Sequence, residues 1–86
     1  MTDEENLTLR YELASNRRAH YAYCRTRFEA GAAWTLATAK DVTSARAALE
    51  RNVAFCRRAE REELDEMLQL RKLLTRPLHL LPPARP

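Results

Sequence analysis

Apolar residues in the second half of the chain fall three and four apart. Leu49, Val53, Cys56, Leu64, Met67, Leu70 and Leu74 form one stripe, blurred only across the charged run RRAEREE. That period is the apolar face of an α-helix. In the first half, helical character runs through Arg17, Tyr21, Cys24 and Phe28. One stretch conflicts with this. LTLRYEL, Leu7 to Leu13, alternates apolar and polar residues at the strand period. No second strand-like segment is present to pair with it, so a helix is expected there too.

The interruptions place the ends of the elements. Thr2 followed by Glu5 has the spacing of a capping box, and Asp3 and Glu4 suit the positive end of a helix. Gly31 sits among alanines and is read either as a tight helix contact or as a break. AKDVTS, residues 39–44, is the best turn: Asp41 and Thr43 can each cap a helix, and two β-branched residues weaken helix there. Pro77 is expected to stop the second helix. The pattern therefore predicts helix 1 over about 3–39 and helix 2 over about 43–75, together a helical hairpin in residues 1–76. Residues 77–86 are expected to form a Pro-rich extended tail with three leucines between Leu78 and Leu81, read as frayed or as wrapping over the hairpin or a partner. Pro83 to Pro86 fit PxxP, a pattern too common to support a prediction.

Charge tests this layout. A fold-back centred near Lys40 sets Asp3, Glu4 and Glu5 beside Arg71, Lys72 and Arg76. It also sets Arg17 and Arg18 opposite Glu63 and Glu62, and Glu29 opposite Arg51. Opposite charges meet along the hairpin, as they would not on one continuous helix. The fold class is all-α, an antiparallel two-helix hairpin. Two helices cannot surround a core, and Leu9, Leu13, Trp34, Leu36, Phe55, Leu68 and Leu73 are left over. Completion of a four-helix bundle, by homodimerisation or by docking on a partner, is expected.

Composition narrows the classes. Of 86 residues one is glycine, and all four prolines lie at or beyond Pro77. Ala, Leu, Arg and Glu dominate the rest, and all are strong helix formers. The net charge is only +3. Lys40 and Lys72 are the only lysines beside thirteen arginines, the usage that GC-rich bacterial or phage coding favours. No apolar run is long enough to span a bilayer, and the acidic, polar start is read as neither a secretory signal nor a transit peptide. A cytoplasmic protein with free thiols is expected, without membrane, cofactor or small-molecule substrate.

The chemistry-bearing residues gather at mid-hairpin. AYCR, residues 22–25, is echoed by AFCR, residues 54–57, and the fold-back puts Cys24 opposite Cys56 and His20 opposite Glu60. His20, Cys24, Cys56 and Glu60 are candidate ligands for a tetrahedral metal. Against this, no CxxC or HxxH accompanies them, and buried packing is the ordinary role of such cysteines. A Cys24–Cys56 disulfide is another reading, opposed by a reducing compartment. No glycine loop or nucleophile arrangement suggests an enzyme. The remaining feature is a basic, aromatic band: Tyr21, Tyr23, Arg25, Arg27, Phe55, Arg57 and Arg58 are the candidate partner-binding residues. Arginine with tyrosine is the composition of protein hot spots and of RNA contacts. The expected function is a small interaction module, whether adaptor, assembly chaperone or phage-type inhibitor, acting sterically through a helix face with an Arg/Tyr rim. The alternative is an RNA-binding dimeric four-helix bundle, and the minor one a metal-binding hairpin.

Overall fold

A computed structural model describes the backbone of residues 2–80 and the side chains of residues 2–75. The chain forms two helices, α1 (Asp3–Thr38) and α2 (Val42–Leu80), packed against each other along their length. At 1.5 Å per residue they are about 54 and 58 Å long. LTLRYEL lies inside α1. Its alternation had no partner strand, and helix propensity decided the outcome.

Each start is set by a local device. The Thr2 hydroxyl accepts a hydrogen bond from the Glu5 amide, and the Glu5 carboxylate accepts one from the Thr2 amide, both at 3.1 Å. This is the capping box expected from the sequence. At α2 the choice between two candidate caps falls on Asp41. Its Oδ1 accepts from the Ser44 amide at 3.1 Å and its Oδ2 from the Ser44 hydroxyl at 2.8 Å. Thr43 is already helical. α1 ends at Ala39 in extended backbone, so residues 39–41 make the whole connection, and no residue has positive φ among those described. Both capping carboxyls sit below the usual carboxylate range because backbone amides donate to them, Thr2 to Glu5 and Ser44 to Asp41.

Two sequence readings change. Gly31 neither breaks α1 nor marks a close contact, since a Cβ there would meet nothing within 4 Å. α2 runs three residues past Pro77, to Leu80. A proline removes one backbone donor and crowds one carbonyl, but residues beyond it can still take helical dihedrals. Leu81 and the PxxP pattern at 83–86 lie outside the described residues, as do the side chains of Arg76 and Leu78 to Leu80.

The contact between the helices is narrow. Among the described residues only Ala14, Cys56, Ala59 and Leu70 are buried. Three of these are small, so the backbones approach closely at their levels, and Leu70 is the one large side chain enclosed. The leftover residues behave as expected: Leu9, Leu13, Trp34, Phe55, Leu68 and Leu73 are between 42% and 73% exposed, joined by Tyr23 and Val42. Leu36 is half-buried. The molecule measures 74 × 23 × 16 Å. A cross-section of 23 × 16 Å is that of two helices side by side.

Candidate functional site

The central band is built from the register of the hairpin. Arg17 donates to Glu63 at 2.9 Å, the pairing the fold-back predicts. One side of the next level is a four-residue ion cluster. Arg25 grips Glu60 with two nitrogens, at 2.6 and 3.3 Å, and reaches Glu29 at 2.9 Å along its own helix. Glu29 in turn accepts from Arg57 at 3.1 Å. Two arginines and two glutamates thus cancel across the helices. Glu29 does not take Arg51, and Arg10 takes Glu66 at 3.0 Å where an even fold-back offers Leu70. Long Arg and Glu side chains reach about a turn of helix either way.

Glu60 is held below the usual carboxylate range by its hydrogen bonds from Arg25, with burial opposing, and the Arg25 guanidinium is correspondingly raised, chiefly by Glu60. A lowered folded value means the carboxylate stabilises the fold above its unfolded value of about 4.3, and that this contribution disappears as pH falls through the folded value. Glu5 and Asp41 carry the same sign. The melting temperature is therefore expected to drop steadily on acidification below about pH 5. In Glu60→Gln the fall should be shallower. Parallel acid profiles for the two proteins would remove Glu60 from the explanation.

The aromatic residues lie elsewhere on the rod. Tyr21 and Phe55 meet edge to face across the helices with centroids 6.0 Å apart, and His20 packs against Tyr21 at 5.7 Å. Phe55 and Arg57 are two residues apart on one helix, about 200° in rotation. Phe55 and Arg57 therefore leave α2 on opposite flanks, whereas Tyr21 and Arg25, four residues apart, share a face of α1. Tyr23 is exposed on α1 with the Arg27 guanidinium 5.9 Å from its ring centre. Arg58 is exposed and makes no ion pair among the described residues. The seven residues read as one rim thus share a level, with Phe55 on one flank of α2 and Arg57 on the other.

Of the possible metal ligands, His20 and Cys24 do meet, with Nε2 3.6 Å from Sγ. Cys56 is buried, which pushes its thiol up from its ordinary value, and nearby Cys24 adds to the shift. Glu60 is turned to Arg25. Among the described residues no three His, Cys, Asp or Glu side chains converge as a metal site, and both cysteines are free thiols.

Sequence reading missed an open groove of about 460 Å³ beside the ion cluster, toward the turn. Phe28, Ala32 and Leu36 line it from α1, and Leu49, Val53 and Ala54 from α2. Glu29, Arg46, Glu50 and Arg57 rim it. The spacing of 28, 32 and 36 was the available signal: one apolar row, four residues apart, facing the row of Leu49 and Val53.

No described helix is long and apolar enough to cross a membrane. Searches of protein-family models, curated proteins and solved structures give no match to this chain.

Proposed function

We propose that this chain is a non-catalytic protein–protein interaction module that acts sterically, covering or bridging a protein surface with its exposed helix faces. The carrying observation is the imbalance, among the described residues, between four buried ones and eight large apolar ones left exposed. A compact protein of 10 kDa exposes roughly 5,200 Å², whereas this one exposes 6,983 Å². Tyr23, Phe55 and the nearby arginines supply the aromatic and basic anchors that such surfaces use. The ion pairs favour protein over RNA as the partner. Arg10, Arg17, Arg25 and Arg57 are each held by a carboxylate, and an arginine so neutralised contributes little to phosphate binding.

The test is whether the chain is self-sufficient. Alone as a monomer it is expected to melt broadly, and to gain a sharp transition only when its faces are covered. A monomer by light scattering that melts in one sharp, concentration-independent transition would overturn the proposal. Tight binding of generic RNA that weakens steeply with salt would replace it with the RNA reading.

A further inference from the structure

We propose that the groove between α1 and α2 near the turn is the docking surface for a second copy of this chain, packed groove to groove about a twofold axis. This rests on the interaction reading above and names its partner. The rim points to self-association. It carries Glu29 and Glu50 against Arg46 and Arg57, a balance that attracts neither a strongly acidic nor a strongly basic partner. On α2, Glu50 lies between Arg46 and Arg57, so an antiparallel copy of the same edge brings each Glu50 within reach of an arginine on the other chain. An isologous interface needs this self-complementarity. The floor permits close approach, because Ala32 and Ala54 are small and Ala54 is exposed. Area permits it: the whole chain exposes 6,983 Å² against roughly 5,200 Å² for a compact protein of its mass, and a standard interface takes about 800 Å² from each partner. Pairing two 16 Å layers makes the four-helix bundle in which both grooves disappear.

The experiment is light scattering with melting on the full chain, wild type and Ala54→Glu, from about 1 to 100 µM, a range that brackets the affinity of ordinary homodimers. Wild type should have twice the chain mass at the upper concentrations, with a melting temperature that rises with concentration. Ala54→Glu replaces an exposed residue with a good helix former, yet places a charge at the centre of the interface. It should weaken association at least about a hundredfold. Glu50→Arg should weaken it too, with added salt recovering part of the loss as the like charges are screened. A dimer indifferent to both substitutions overturns the groove as the interface. A monomer that melts broadly rejects a second copy while leaving the interaction module intact. A monomer that melts sharply rejects both.

Discussion

Leu70→Ala is expected to unfold the hairpin. Leu70 is 1% exposed and is the only large side chain fully enclosed among the described residues. Truncating such a leucine costs about 2–5 kcal/mol in lost transfer energy and residual cavity. A chain this small with one thin core holds roughly 3–5 kcal/mol in total, so the loss consumes most of it. Circular dichroism should show helix content falling sharply at temperatures where the parent is intact. Leu70→Met, which conserves volume, should recover most of the signal. The comparison must hold protein concentration fixed, because association adds its own stability. Near-parent melting of Leu70→Ala would show that the enclosed contact at this level is not what holds the helices together.

Ala14→Leu should be the second most damaging change, for the opposite reason. Ala14 is completely buried although it has only a methyl group. It lies between the Arg10–Glu66 and Arg17–Glu63 pairs, which pin the two helices at its level. Extra atoms can enter only by pushing the backbones apart and stretching both pairs. Overpacking of this kind costs about 1–3 kcal/mol. Ala19→Leu, at an exposed position on the same helix, should change stability by less than about 0.5 kcal/mol. Urea melts of the two variants side by side decide the matter. A more stable Ala14→Leu would mean that a void, rather than a close contact, lies beside that residue.

Local signals carried most of the fold. Thr2 with Glu5, and Asp41 with the residues after it, mark helix starts because capping is a short-range hydrogen bond that spacing alone reveals. Arg17 opposite Glu63 was legible because an even fold-back about Lys40 sets the two at the same height. Other pairings were not, because a side chain as long as arginine chooses among partners a turn apart. Glu29 therefore finds Arg57 and Arg25, and Glu60 turns to Arg25 instead of His20. Pro77 misled for a different reason: a proline raises the cost of helix at one residue without deciding what its neighbours do. The seven residues of the central band lie at one level, and the two-residue spacing of Phe55 and Arg57, about 200° on a helix, already sets those two on opposite flanks of α2. The groove was missed because Ala32 and Ala54 contribute by being small, and small residues leave little mark in a hydrophobic pattern.

The three-residue connection capped by Asp41 also sets the order in which the structure forms. Contacts along the rod lie at growing distances in the chain: 28 residues between Glu29 and Arg57, 35 between Arg25 and Glu60, 46 between Arg17 and Glu63, and 56 between Arg10 and Glu66. Forming any distant pair first closes a long loop, but once its inner neighbour is in place only a few residues remain to be ordered. The hairpin is therefore expected to zip from the turn and fray from the open end. Leu70 belongs to the open end, so Leu70→Ala is expected chiefly to speed unfolding, and changes around Asp41 chiefly to slow folding.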